Sequence, residues 1–190
     1  MKFVDEFRND EYAKKLVEKL NNISSKKINI MEVCGTHTMA IFRYGIRDVL
    51  PSNINLISGP GCPVCVTPQS YIDTAITLSE KENVIIATFG DMMRVPGKKG
   101  SLSRSKAEGA DVRVVYSPMD CLKMALQNPS KKIVFLSVGF ETTAPMTAVT
   151  AIEAKKNDLK NLFFFTAHKT VPPVMEALVK DKELKIDGFL

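Results

Sequence analysis

The apolar residues of the chain fall into short, nearly continuous runs, separated by longer stretches with helical spacing. The runs span residues 28–33, 54–57, 84–89, 112–116, 133–138 and 162–165. Because polar residues do not alternate with apolar ones inside these runs, the runs predict parallel strands that are buried on both faces. Helices between such strands are typical of an α/β fold, which is the fold class that the sequence predicts.

Helical spacing is found first near the N-terminus, where residues 5–20 predict an amphipathic helix on the outside of the fold. Its apolar positions are Phe7, Tyr12, Leu16 and Leu20. Two later helices have sequence signals at their starts, Thr67-Pro68 and Ser117-Pro118. In each signal a capping residue precedes a proline, and we expect each proline at the first helical position.

The order of elements repeats along the chain at an offset of 105 residues. This offset aligns the turn after Val33 with the turn after Val138, and it matches Val84 with Phe189. The repeat predicts two similar parallel-sheet α/β units. The expected segments are an N-terminal helix in residues 1–26, a first unit in residues 27–115 and a second unit in residues 116–190. Because the second unit would stop inside a strand, we expect it to be incomplete and the chain to be part of a longer protein.

The composition and charge of the chain limit the classes of function that it can have. Hydrophobic residues make up 45% of the chain, which suffices for one large core or two small ones. The sequence starts with acidic residues where a secretory signal needs an apolar core, and the longest apolar run, residues 133–140, is too short to cross a bilayer. The formal net charge of +5 comes from scattered lysines without interleaved aromatic residues, which indicates a solvated surface and no nucleic-acid partner. We therefore expect a cytoplasmic protein with no membrane partner.

In a reducing compartment, four cysteines indicate catalytic, redox or metal-binding roles more than disulfides. Cys34 and His37 follow directly after the strand that ends at Val33. Open α/β sheets bind ligands at the carboxyl ends of their strands, and the N–H groups of a helix start lower the pKa of a thiol placed there. A thiolate at this position binds a metal or attacks an electrophile. The alternative is a small buried cysteine, with His37 satisfied locally.

Cys62 and Cys65 form a C-x-x-C pair in a loop rich in glycine and proline, just before a helix. The two sulfur atoms can reach one metal or close a disulfide, and zinc sites and thiol oxidoreductases share this spacing. A structural zinc site would need Cys34 and His37 as its other ligands. Because the turns follow strands of one parallel sheet, we expect Cys34, Cys62 and Cys65 to converge on one cleft.

The equivalent turn of the second unit carries Glu141, Thr142 and Thr143. This carboxylate and these two hydroxyls can bind polar ligands or transfer protons, or they can cap the following helix. His168 matches the C-x-x-C loop in the repeat, so it either faces the same cleft or is a capping residue on the surface.

Two other residues have simpler interpretations. Arg94 lies in a polar turn after a predicted strand, where it can bind an anion, but an ion pair with Asp91 is its expected role. Cys121 lies in an apolar helical stripe and is expected to pack in the core.

Taken together, four motifs of the chain resemble the HypD family of hydrogenase maturation factors. The motifs are Cys34-Gly35-Thr36-His37-Thr38, Gly59-Pro60-Gly61-Cys62-Pro63-Val64-Cys65, Asp91-Met92-Met93-Arg94-Val95-Pro96-Gly97 and Gly139-Phe140-Glu141-Thr142-Thr143. They follow the order of the family and span most of the chain. The first two motifs combined are highly specific, whereas each motif alone is weak.

The resemblance implies a scaffold on which the Fe(CN)2CO group of [NiFe]-hydrogenases is assembled, and not a conventional turnover enzyme. It implies that Cys34 holds the iron, which carries cyanide and carbon monoxide, together with a cysteine of a small partner chaperone of the HypC family. Cys62 and Cys65 would be redox-active or iron-proximal thiols. Other expected partners are the cyanide-delivering maturation proteins of the same pathway. The remaining expected site residues are Thr36 and His37, as hydrogen-bond donors to cyanide nitrogen, and Glu141, Thr142, Thr143 and His168.

The chain also departs from the family. Members of the family are about twice as long, and their cysteine-rich C-terminal part binds a [4Fe-4S] cluster. All four cysteines of this chain precede Lys123, so the cluster ligands are absent from it. Two alternatives to the scaffold remain open: a thiol–disulfide oxidoreductase that uses Cys62 and Cys65, and a non-catalytic domain with structural zinc.

Overall fold

A computed structural model describes residues 9–23 and 26–190, and it confirms the α/β fold class with parallel sheets. The helices are α1 (Asp10–Ile23), α2 (Gly35–Arg43), α3 (Ile46–Val49), α4 (Gln69–Ser79), α5 (Leu102–Ala107), α6 (Asp120–Gln127), α7 (Ala144–Lys156) and α8 (Val171–Lys180). The strands are β1 (Ile28–Glu32), β2 (Ile54–Ser58), β3 (Val84–Thr88), β4 (Val112–Val114), β5 (Lys132–Gly139), β6 (Leu162–His168) and β7 (Gly188–Phe189). All six predicted strands are present. No helix in the described ranges combines the length and the apolar character that a membrane span requires.

The N-terminal helix is confirmed over the part that the structure describes. It begins at Asp10, and residues 5–8 of the predicted helix lie outside the described residues. Tyr12 and Leu16 are largely exposed on its surface. The apolar stripe that predicted the helix is therefore not fully buried.

The chain divides into two compact units. The first comprises the described residues up to Cys62 together with Glu176–Leu190, and the second comprises Pro63–Met175. The first unit contains a three-stranded parallel sheet in the order β2-β1-β7. Its buried apolar residues, among those described, are Met31, Ile41 and Pro51.

The second unit contains a four-stranded parallel sheet in the order β4-β3-β5-β6, with an apolar core on each face. On one face α4 and α5 pack against β3 and β5 through side chains that include Tyr71, Ile72 and Leu102. On the other face α6 and α7 pack through Cys121 and Ala154. Because helices cover both faces, the strands of this sheet are mostly apolar along their length.

The grouping of the strands differs from the one that the sequence analysis assigned. The repeat predicts β3 and β4 in the first unit, residues 27–115, together with β1 and β2. Instead β3 pairs with β5, and β4 pairs with β3, in the sheet of the second unit. In return, β7 from the end of the chain pairs with β1. Strands that are buried on both faces have the same apolar pattern whichever neighbour they take, so the pattern leaves the pairing open.

Candidate functional site

The carboxyl edge of the three-stranded sheet carries two of the three motif cysteines. β1 and β2 run in parallel with Glu32 opposite Ser58, so they end side by side. Cys34 lies two residues after the end of β1, and Cys62 lies four residues after the end of β2. The structure therefore places the Cys34 and Cys62 turns on adjacent strand ends, as the sequence predicted for these two residues.

Cys34 is the residue that precedes α2, and its backbone is extended, with φ −135° and ψ 126°. The thiol is half-buried. The backbone N–H of His37 lowers the pKa of Cys34 the most, partial burial opposes this effect, and the backbone and hydroxyl of Thr36 lower the pKa further. The helix start thus favours the thiolate, which is the form of cysteine that binds metals.

The other side chains of this turn remain open to solvent. Thr36 and His37 are exposed. Thr38 is tied to the turn, because its backbone N–H donates to the Cys34 carbonyl at 3.1 Å and its hydroxyl donates to the same oxygen at 3.4 Å. Thr36 and His37 are therefore the exposed polar side chains next to Cys34 in this turn, and the Thr36 hydroxyl also hydrogen-bonds the Cys34 thiol.

Gly59 holds the loop of Cys62 against the end of β1. Its N–H donates to the Glu32 carbonyl at 2.8 Å. A Cβ atom at this position would lie 2.3 Å from that oxygen and 2.8 Å from the Met31 Cγ. The approach of the two backbones is therefore possible only for glycine, and it explains a glycine at this point of the motif.

Cys65 is exposed in a turn of the second unit that spans residues 63–66. Thr67 closes this turn, with its hydroxyl donating to the Pro63 carbonyl at 2.8 Å and its N–H to the Val64 carbonyl at 3.2 Å. Pro68 then precedes α4 as the capping residue and is not at the first helical position. The predicted convergence of Cys65 with Cys34 and Cys62 stays a prediction.

A second set of predicted residues lies at the carboxyl edge of the four-stranded sheet. β5 and β6 are adjacent, with Gly139 opposite His168. Burial lowers the pKa of His168, which keeps the half-buried imidazole neutral at neutral pH. Thr142 is exposed, and the hydroxyl of Thr143 donates to the Phe140 carbonyl at 3.0 Å. The structure brings these side chains to one edge of the second unit.

Glu141 has a defined partner. One of its carboxylate oxygens accepts a hydrogen bond of 2.7 Å from the backbone N–H of Val171, the first residue of α8. The carboxylate therefore accepts from a backbone N–H at the start of α8, 30 residues along the chain. The expected alternative was a cap for the helix that directly follows its own turn.

Two simpler expectations have clear outcomes. The expected ion pair between Asp91 and Arg94 is wrong, since neither has an ion-pair partner within the described ranges, and both are exposed at the surface, where such a pair gains little. Cys121 is fully buried, and burial raises its pKa to about 12. Its expected role in core packing is confirmed.

A buried ion pair at the end of β1, two residues before Cys34, was not predicted from the sequence. Glu32 is fully buried at the end of β1, and Arg47 of α3 donates to its Oε1 atom at 3.0 Å. The available signal was a charged residue that interrupts the apolar run of residues 28–33. The partner could not be found from the pattern, because it lies 15 residues away in another element.

Within residues 9–23 and 26–190, no three His, Cys, Asp or Glu side chains form a group that could hold a metal ion. The donor set that the structure does offer on the three-stranded sheet is one thiolate-prone cysteine with a second cysteine on the neighbouring strand end. Thiolates are soft ligands that suit iron in a low-charge complex.

Comparison with known protein families shows which family the chain belongs to. The model of the HypD family, described as "Hydrogenase formation hypA family", matches residues 11–190. The chain belongs to the HypD family. It is 50% identical to the hydrogenase maturation factor HypD of Escherichia coli K12, over 100% of this chain and 53% of the relative.

Other HypD relatives show similar coverage. The chain is 45% identical to the hydrogenase maturation factor HypD of Rhodobacter capsulatus and 46% identical to the hydrogenase expression/formation protein HupD of Azotobacter chroococcum. Each match covers 100% of this chain and 52% of the relative. The chain therefore spans about half the length of the curated relatives it matches.

Proposed function

We propose that the chain acts in hydrogenase maturation, as a scaffold that binds the iron of the Fe(CN)2CO group while this group is assembled. Its membership of the HypD family, and the names of its relatives as hydrogenase maturation factors, support a role in this pathway. The four motifs support the scaffold role. In this proposal iron, cyanide and carbon monoxide are the cargo of the scaffold.

The observation that carries the proposal is the position of Cys34 at the end of β1 and at the start of α2. The N–H groups of His37 and Thr36 lower the pKa of its thiol, so a thiolate is available to an incoming iron. Because no group of three potential ligands surrounds it in the described ranges, the iron takes its other ligands from outside this set. We propose cyanide, carbon monoxide and a cysteine of a small HypC-family chaperone for these positions.

Cys62 and Cys65 complete the proposed site as redox-active or iron-proximal thiols. Cys62 lies on the strand end next to that of Cys34. In thiol–disulfide exchange with a partner disulfide, closing a disulfide between the two thiols would pass two electrons and two protons to the partner, which becomes two thiols, and the reverse exchange restores the Cys62 and Cys65 thiols. The cytosol, where thiols stay reduced, is the proposed location, and cyanide-delivering maturation proteins are the further proposed partners.

Thr36 and His37 have a proposed role toward the cargo. Their side chains are exposed next to Cys34, and a hydroxyl and an imidazole N–H are hydrogen-bond donors. Cyanide bound to iron presents its nitrogen outward as an acceptor. We propose that these two residues hold the cyanide ligands in place.

The test is the substitution Cys34→Ser. We expect this variant to lose iron loading and the cyanide and carbonyl infrared bands, because a serine hydroxyl stays protonated at neutral pH and is a poor ligand for this iron. The fold is retained, with a loss of roughly 1 kcal/mol or less, because the turn contributes little core area. Iron content and infrared spectra are measured on anaerobically purified protein with the small chaperone present.

The matched control is Cys121→Ser. Here we expect the opposite result, a loss of about 1–3 kcal/mol of stability from a hydroxyl buried in the core, with iron and infrared bands retained. Wild-type band intensity in Cys34→Ser would show that Cys34 is not the iron ligand.

A further inference from the structure

Glu32 is a buried charge that the proposed chemistry does not use. Its side chain is fully shielded from solvent at the end of the central strand of the first sheet. Oε1 accepts a hydrogen bond from the Arg47 guanidinium at 3.0 Å, and Oε2 is buried without a hydrogen-bond donor among the described residues. A buried carboxylate with one unsatisfied oxygen costs free energy, so the sequence retains it at the expense of stability.

The repeat within the chain shows that the fold does not require a charge at this position. The offset of 105 residues that aligns Cys34 with Gly139 aligns Glu32 with Ser137. Ser137 is equally buried in the central strand β5, but its hydroxyl hydrogen-bonds the hydroxyl of Thr147 on α7 at 3.0 Å. The unit without the Cys34 turn thus joins its strand and helix through two neutral groups. At this position of the repeat, the described residues form a charged pair in the unit that carries Cys34 and a neutral pair in the other unit.

The pair connects the strand to the helix that starts at Cys34. Cys34 follows Glu32 by two residues, and its backbone is still extended at the point where α2 begins, with φ −135° and ψ 126°. Arg47 lies on α3, and its guanidinium also stacks over the ring of Phe42 in α2, 4.8 Å from the ring centre. A continuous chain of contacts therefore runs from the strand, through Arg47, to α2.

We propose that Glu32 and Arg47 are positioning residues for Cys34: anchored on the buried carboxylate, Arg47 holds α2 through Phe42 so that the first turn of this helix stays directed at the Cys34 sulfur. One consequence of this inference rests on the proposed function: a misplaced first turn would weaken metal binding by Cys34. The placement of α2 itself is independent of any metal. The two statements can therefore be tested separately.

The experiment uses the double variant Glu32→Met/Arg47→Met of this chain. Replacing a buried ion pair by apolar residues of similar size is often neutral for stability, so we expect a urea midpoint close to that of the wild type. We expect the amides of α2 to exchange with deuterium about tenfold faster than in the wild type, because the helix has lost its anchor. We expect Co²⁺, bound under anaerobic conditions and followed by its thiolate charge-transfer absorption, to bind about tenfold more weakly.

Two further variants separate positioning from general stability. Arg113→Met breaks another arginine–carboxylate pair, that with Asp111 at 2.7 Å in the second unit, and it should leave both readouts at wild-type values. Arg47→Met alone should impair both, and Arg47→Lys should recover Co²⁺ binding in part, because the lysine keeps the charge that pairs with Glu32.

Several results would overturn the inference. One is a folded double variant with wild-type exchange in α2 and wild-type Co²⁺ affinity. Another, decisive if the double variant does not fold, is an Arg47→Lys variant that is no better than Arg47→Met in either readout. If Cys34→Ser leaves the Co²⁺ spectrum of the wild type unchanged, the proposed function fails, and the exchange of α2 amides still decides whether the pair positions the helix.

Discussion

Cys34 and Cys121 carry the same thiol in opposite surroundings. Cys34 lies at the start of α2, where backbone N–H groups stabilise its thiolate and lower its pKa. Cys121 is enclosed in the core beside Ala125 and Phe135, where burial raises its pKa to about 12. The reactivity of a cysteine thiol therefore depends on the local dielectric and on nearby backbone dipoles, and not on the residue type alone.

The first residue-scale prediction concerns alkylation. Because the pKa of Cys34 is below that of an ordinary cysteine, its thiolate forms at lower pH, and its iodoacetamide reaction should reach half of its maximal rate at a lower pH than that of a cysteine peptide. Cys121 should react only after unfolding. Peptide mapping by mass spectrometry across pH 5–10 measures both. A Cys34 profile that coincides with the peptide profile would contradict the role of the helix start.

The second residue-scale prediction compares two glycines of the site. Gly59→Ala should destabilise the protein by about 2 kcal/mol, because its Cβ would collide with the Glu32 carbonyl, a backbone atom that cannot turn aside. Gly35→Ala is the matched control, with no heavy atom within 4 Å of the new Cβ, and it should stabilise α2 by roughly 0.5 kcal/mol. Urea unfolding measures both. Equal effects of the two substitutions would show that the close approach at Gly59 is not real.

The chemical environment of a residue could be predicted from the sequence where residues adjacent in the chain determine that environment. Cys34 precedes a helix start, and Cys121 lies within a helical stripe, so both environments could be inferred. The pairing of Glu32 with Arg47 and the contact of Glu141 with Val171 depend on tertiary packing. Such partners cannot be identified from local patterns.

At the scale of elements, strands were easier to predict than helix starts. Every predicted strand is present in the structure. The strands could be located from the sequence because nearly continuous apolar runs are a strong signal for strands with two buried faces. The helix starts shifted by one or two residues. At α6 the Ser117 hydroxyl accepts from the Met119 N–H and the Asp120 carboxylate accepts from the Ser117 N–H, so the helix begins after a capped turn and not at Pro118.

The element-scale prediction concerns the start of α8. Glu141→Ala removes the acceptor of the Val171 N–H and should cost about 1 kcal/mol, as is typical for the loss of a helix-start acceptor. Thr142→Ala, one residue along and exposed, should change stability by less than about 0.5 kcal/mol. The two urea midpoints test this contact. If they coincide, Glu141 is not a structural residue, and its predicted role in proton transfer becomes the better explanation.

At the scale of the whole molecule, the repeat is visible in the strand order of the two sheets. Each sheet, however, includes one strand from the other half of the chain. The order β2-β1-β7 of the first sheet corresponds to the order β6-β5-β3 of the second at the offset of 105 residues. In each sheet a central strand pairs with the next strand along the chain and with a strand from the other half. The sequence revealed the recurring order of motifs, but the exchange is decided by tertiary packing that the apolar pattern does not encode.

The two units differ in the size of their cores. The two large apolar clusters consist entirely of residues from the second unit, and they enclose β3 and β5 on both faces. The described part of the first unit buries only Met31, Ile41 and Pro51 in addition to the Glu32 side chain. The strands that carry Cys34 and Cys62 therefore belong to the less densely buried unit. Ligand-binding elements are commonly drawn from such regions of low local stability.

This difference predicts unequal responses to the same substitution. Ile133→Val and Ile41→Val each remove one buried methylene, from the second and first unit respectively, and each should cost about 1 kcal/mol. If each unit opens according to its own core, Ile133→Val should speed the exchange of β3 and β5 amides about fivefold and leave β1 amides unchanged. Ile41→Val should do the reverse. Native-state hydrogen exchange measures both, and equal acceleration of all strands by either variant would mean that the whole chain unfolds as a single cooperative unit.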